Sequence, residues 1–192
     1  MMNRLVRSAM AVALIGVAAP SLAQSTGYEG AKFVDAVRDG KNNEALTLLE
    51  ANPNIINARN AKGETALLGA VERRSEWTAH LLRSGADPNL ASRSGDTPLI
   101  AAARIGYDDA VQWLLISGAK VDAANRMGET ALITAVQQRQ SRIIRMLLEA
   151  GADPDKADSA AGLSARDYAQ RDTRSRDIIK MIEDKKPKPA KS

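Results

Sequence analysis

Apolar residues in this chain come in paired short bursts, separated by polar segments that carry glycine. In the stretch that begins at Gly95, a run of Leu, Ile and Ala predicts a helix over 98–104, and a second run ending in Leu114-Leu115 predicts a helix over 108–116. Thr97 stands where it can cap the first helix, and Pro98 occupies the first helical position, whose amide has no intrahelical partner in any case. Gly106 separates the two helices, and Gly118 ends the second where a left-handed residue is needed. Ala101, Ala102 and Ala103 keep the first helix thin enough for close neighbours. The polar segment after Gly118 reads as an extended turn projecting from the helices.

The same arrangement recurs. Gly63-Glu64-Thr65-Ala66-Leu67, Gly95-Asp96-Thr97-Pro98-Leu99 and Gly128-Glu129-Thr130-Ala131-Leu132 share one phrase, and a Gly-Ala pair follows each at Gly85, Gly118 and Gly151. Steps of 32, 33 and 34 residues separate Gly63, Gly95, Gly128 and Gly162. Leu48-Leu49, Leu81-Leu82 and Leu147-Leu148 repeat the second-helix anchor. A fixed period of this length predicts a stacked array in which each unit buries its apolar face against its neighbours.

These residues resemble the ankyrin repeat, with its Thr-Pro-Leu-His-x-Ala signature and 33-residue period. The resemblance implies an all-α solenoid of stacked helix-turn-helix units with about five members across residues 31–183. They are an N-terminal cap at 31–60, repeats at 61–92, 93–125 and 126–158, and a C-terminal cap at 159–183. Residues 24–30 form a lead-in. The chain departs from the family where His is usual: Leu68, Ile100 and Ile133 stand there, so apolar packing is expected to replace polar cross-links between units. The repeat at Gly63 is one residue short, which predicts a tightened turn around Arg73-Arg74-Ser75. Trp77 and Trp113 are expected in the core or its seams, with Phe33 and Tyr28 covering one end of the stack and Tyr168 the other.

The two ends read differently. Arg4 and Arg7 precede an apolar run from Ala9 to Ala19, Pro20 closes it, and Ser21-Leu22-Ala23 offers small residues for cleavage. Residues 1–23 are therefore expected to be a signal peptide, and the mature protein periplasmic, with release outside the cell as the alternative. The apolar run is too short for the roughly 20 residues of a membrane span. The chain has no cysteine, which removes disulfides and lipidation at the cleavage site. Its net charge is +4, with +2 in the leader and +4 in the tail from Lys185 onward, which leaves −2 for residues 24–184. Nucleic acid is thus not an expected partner. Residues 184–192 are expected to be a disordered basic tail, available for weak contact with an anionic envelope.

Catalytic chemistry finds no footing. His80 lies within a second helix beside Leu81-Leu82, and no phosphate-binding glycine pattern or nucleophile–base grouping occurs. Asp153, Asp155 and Asp158 are spaced like calcium ligands, but they fall in the ordinary Gly-Ala-Asp turn, where Asp satisfies turn amides. Neither an enzyme, a metal nor a cofactor is expected.

What the resemblance implies is a protein-binding face on the projecting turns and the inner edge of the first helices. Position by position, the turn residues are Arg59, Lys62 and Glu64, then Arg93, Ser94 and Asp96, then Arg126, Met127 and Glu129. The helix edge adds Glu72, Arg73, Arg104, Ile105, Gln137 and Gln138, with Tyr107 close by. A basic residue before each Gly and an acid after it make a ladder that either orients a partner or pairs internally between adjacent turns. The expected function is an adaptor, inhibitor or stabiliser of another exported protein, a stress-defence enzyme among the candidates, acting as a monomer. An effector or toxin-associated role is the alternative.

Overall fold

The computed structural model describes residues 22–172, 174 and 176–184, with side chains from Gly27 onward. The expected cleaved leader and the basic tail lie outside these residues, apart from Leu22, Ala23 and Asp184. The described chain is helical: α1 Leu22–Asp39, α2 Asn42–Ala51, a 3-10 helix Pro53–Asn57, α3 Ala66–Glu72, α4 Trp77–Arg83, α5 Pro98–Ile105, α6 Asp108–Ile116, α7 Ala131–Gln137, α8 Ser141–Glu149, α9 Ala165–Arg171 and α10 Arg176–Glu183. Residues 24–30, read as a lead-in, are part of α1.

Two layers result. The first helices α1, α3, α5, α7 and α9 pack in a row, and α4, α6, α8 and α10 pack side by side behind them. Thr65, Thr97 and Thr130 each accept the amide three residues on at 3.2 Å, which caps α3, α5 and α7. The residues in the family's His position are buried in the seam between layers: Leu68 2%, Ile100 0% and Ile133 0% exposed. The first helices α1, α3, α5 and α7 turn into their partners at one edge of the stack, the hairpin edge, through a left-handed residue at Gly40, Arg74, Gly106 and Arg139. At the opposite edge the long turns project, and single antiparallel bridges such as Ala124 with Thr130 close them.

Glycine at the head of the repeated phrase is required twice over at the interior turns. Gly128 has φ +79°, and a methyl group there would lie 2.5 Å from the Ser159 amide nitrogen of the next turn. Gly162, in the last described turn, has open space instead.

The missing residue of the second unit falls between its two helices, as expected, but at Ser75 and beyond rather than at Arg73-Arg74. The turn at Arg74 keeps the geometry of its counterparts, Ser75 N bonding Ala70 O as Tyr107 N bonds Ala102 O. The deletion is absorbed one step later, at the start of α4, where Thr78 N bonds Ser75 O in a tight three-residue loop. Helix α4 is two residues shorter than α6 and α8. It stands away from α2, which leaves an open cleft of about 530 Å³ lined by Leu46, Trp77, His80 and Arg83.

Aromatic placement follows expectation in part. Phe33 is fully buried and meets Trp77 edge-on at 6.3 Å. Trp113 is only half-buried and packs edge-on against Tyr107 at 6.0 Å. Tyr28 covers nothing: it is 73% exposed on α1. Tyr168 faces inward, its hydroxyl donating to Asp158 Oδ2 at 2.6 Å.

Candidate functional site

The projecting turns are built on one polar residue that the sequence reading passed over. Asn60 Oδ1 accepts the amides of Lys62 and Glu64, both at 3.0 Å, while its Nδ2 donates to Glu64 and to Asp35 of α1. Asn125 repeats this two units on, accepting from Met127 and Glu129 and donating to Glu129 and to Asp96 of the preceding turn. Asp158 does the accepting part in the last turn, taking the Ala161 and Gly162 amides. The signal was legible, since Asn60 and Asn125 both stand three residues before the phrase glycine.

The charge ladder makes internal bonds by routes other than base-to-acid pairing between adjacent turns. Two of its basic residues staple neighbouring turns through carbonyl oxygens: Arg59 donates to Gly63 O and Ala91 O, both at 2.6 Å, and Arg93 to Ala61 O at 2.7 Å. Two of the acids pair with first-helix arginines, and Glu129 accepts from Asn125. Arg38 reaches Glu64 at 3.3 Å, and Arg104 grips both oxygens of Asp96 at 3.0 and 2.9 Å. Burial raises the Asp96 carboxyl, but the bonds from Arg104, Asn125 and Ser94 outweigh it and hold it below its usual value. Glu72 is shifted the other way, by burial and by the nearby charges of Glu64 and Asp96, against the pull of Arg104.

Polar links between units therefore persist despite the missing His, which corrects the expectation of apolar replacement. A second ladder runs along the turns: Asn57 Oδ1 accepts the Asp87 amide, Asn89 Oδ1 the Lys120 amide and Asp122 Oδ1 the Asp153 amide, at 2.9, 2.8 and 2.9 Å. The three aspartates with calcium-like spacing are committed separately. Asp153 takes the Asp155 amide, Asp155 pairs with Arg166, and Asp158 holds its turn.

The remaining candidates lie around this framework, some of them bonded to it. Lys62, Arg126 and Met127 are exposed on the turn tips, Met127 by 52%. Ser94 is exposed, bonds Asp96 at 3.0 Å and gives its carbonyl to the Arg126 amide. Glu72 and Arg73, Arg104, and Gln137 and Gln138 line the inner end of α3, α5 and α7 with exposed side chains. Ile105 is half-buried and its carbonyl accepts from Arg74, whose guanidinium sits 5.8 Å from the Tyr107 ring. Glu129 is held by Asn125.

A thin-helix stack with Thr caps, glycine-tight turns and a row of side chains along the inner edge defines a repeat array of the kind that serves as a protein-interaction module. The family model for ankyrin repeats (3 copies) matches residues 33–125 and 70–158, and the chain belongs to that family. It is similar to the Notch-regulated ankyrin repeat-containing protein of Xenopus tropicalis, 34% identical over 95 residues, 47% of this chain and 83% of that one. It is also similar to the probable E3 ubiquitin-protein ligase XBOS32 of Oryza sativa subsp. japonica, 35% identical over 88 residues or 45% of this chain, and to the E3 ubiquitin-protein ligase XBAT33 of Arabidopsis thaliana, 36% identical over 88. The chain spans under a fifth of the length of these two plant proteins, 18% and 17%. Ankyrin arrays are generally non-catalytic interaction modules.

Proposed function

We propose that this protein is a periplasmic adaptor, inhibitor or stabiliser that holds another exported protein against the inner edge of its first helices and its turn tips. One observation carries the reading. The capped-helix framework repeats from unit to unit, while the inner-edge pair changes chemistry at a constant register: Glu72 and Arg73, then Arg104 and the half-buried Ile105, then Gln137 and Gln138. A surface that varies on an invariant scaffold is how repeat arrays encode a partner. Export is supported by the basic start, the apolar run and Ser21-Leu22-Ala23. Cleavage after Ala23 would trim two residues from α1 and leave every core residue, from Phe33 to Ile182, in place.

The test is capture from periplasmic extract by residues 22–192, beside a variant carrying Lys62→Glu, Arg126→Glu and Met127→Asp. All three side chains are exposed and lie outside the Asn60 and Asn125 side-chain bonds, so the fold is retained. A protein held by the parent and released by the variant supports the reading. One held equally by both moves the site elsewhere.

A further inference from the structure

The last two units separate their charges toward opposite edges of the stack. Arg139, Arg142, Arg145, Arg171, Arg174 and Arg176 lie on the hairpin turns, at the end of α9 or in the first half of α8 and α10. Two carboxylates of these units, Asp172 and Asp177, accompany them. Residues 126–184 carry ten carboxylates in all, and the other eight lie toward the projecting turns, among Arg126, Lys156 and Arg166, with Lys180 past the middle of α10. In the first three units the hairpin edge is mixed, with Asp39, Glu72, Glu76, Asp108 and Asp109 among its cations.

Internal pairing does not cancel the basic edge. Arg142 meets Asp108 at 3.3 Å yet keeps 72% of its side chain exposed, and Arg174 meets Asp172 at 3.7 Å with 74% exposed. Asp172 also serves Arg139, at 2.6 Å. Arg142 and Arg176 sit in the first turn of their helices, so their placement works against the dipole of their own helices.

We infer that this edge is a docking surface for an anionic phospholipid membrane. Cations spread along one edge, with Arg142 and Arg174 highly exposed, suit a diffuse sheet of negative charge. Single-stranded nucleic acid would call for aromatic platforms among the cations, and this edge has none in its last two units: Tyr168 is turned toward Asp158. The acidic turn edge of the same units would be repelled by the same membrane. The array would therefore stand on its hairpins with the turn tips pointing away, and Gln137 and Gln138, next to the hairpin residue Arg139, would lie beside the membrane.

The test uses residues 22–192, which omit the apolar leader and contain every core residue. Binding is measured by co-sedimentation with vesicles of phosphatidylcholine containing phosphatidylglycerol, and with phosphatidylcholine alone. Two variants of equal net charge are compared: Arg142→Glu, Arg145→Glu, Arg176→Glu on the hairpin edge, and Lys62→Glu, Lys120→Glu, Arg126→Glu on the turns. Both keep the Lys/Pro tail, so its contribution cancels, and circular dichroism confirms that both fold. The parent is expected to bind the anionic vesicles alone, with affinity falling as salt rises. The hairpin variant is expected to lose about tenfold or more, and the turn variant less than about threefold. Equal losses in the two variants, or no binding by the parent, would overturn the inference. So would binding to a single-stranded oligonucleotide that depends on the hairpin arginines without vesicle binding. Partner capture by the turn tips is read separately, so either conclusion can fail alone.

Discussion

Asn125 Nδ2 donates to Asp96 Oδ1 at 2.9 Å, across the gap between two successive turns. The other end of the same amide accepts two backbone amides of its own turn. One side chain thus shapes a turn and fixes its neighbour. Replacing Asn125 with Ala leaves those amides without their partner, for a loss of about 2 kcal/mol. A chain of this size should then melt roughly 4–8 °C lower. An unchanged melting curve would show that water substitutes fully for the Asn side chain.

Gly128 and Gly162 share a positive φ but not their surroundings. Gly162→Ala should cost only the left-handed backbone penalty, about 1 kcal/mol. Gly128→Ala adds a clash with the backbone of Ser159, for about 1–3 kcal/mol more. Urea titration of the two variants separates them. Equal destabilisation would mean that the turns do not pack as closely as described.

Thr78 is buried in α4 and its hydroxyl makes no hydrogen bond among the described residues. Thr134 and Thr47 bond back to the carbonyl four residues earlier. For Thr78 that residue is Arg74, whose left-handed backbone lies outside the helix. The corresponding residues of α6 and α8 are Val111 and Ile144. Thr78→Val should therefore stabilise the protein by about 1 kcal/mol. A lower melting temperature would reveal a role for the hydroxyl.

The repeat, its helices, their caps and the glycine stops were legible because each rests on a local rule repeated in register. What was missed depends on neighbours. Nothing in the sequence ranks Arg59 and Arg93, which staple turns, differently from Arg126, which stands free of the Asn framework. The shortened unit was recognised from spacing, but spacing cannot say which segment yields. The left-handed turn held at Arg74, tied to Ile105 and Tyr107 of the next unit, and the helix start gave way. Tyr28 was assigned to an end cap by its aromatic character alone, and α1 leaves it in solvent.

Asp158 gives the C-terminal cap an acid limit. The Tyr168 hydroxyl lowers its pKa, with the amides of Ala161, Gly162 and Ala160 acting in the same direction against burial. A carboxylate held down in the fold stabilises it above the unfolded value, about 3.9, and that contribution disappears as pH falls through the lower folded value. Tyr168→Phe should lower stability most near neutrality. The gap to the parent should narrow as pH falls below the unfolded value and through the lower folded one. A gap that stays constant from pH 7 to pH 3 would assign the effect to packing instead.

The central claim is that a partner lies along the turn tips and inner helix edge. The most direct measurement places a photo-crosslinking amino acid in living cells at Met127, at Gln138, or at Ile116, which is 78% exposed on the outer layer. The account predicts one discrete adduct from positions 127 and 138 and none from 116. An adduct from 116 alone would put the working surface on the outer helices and contradict it.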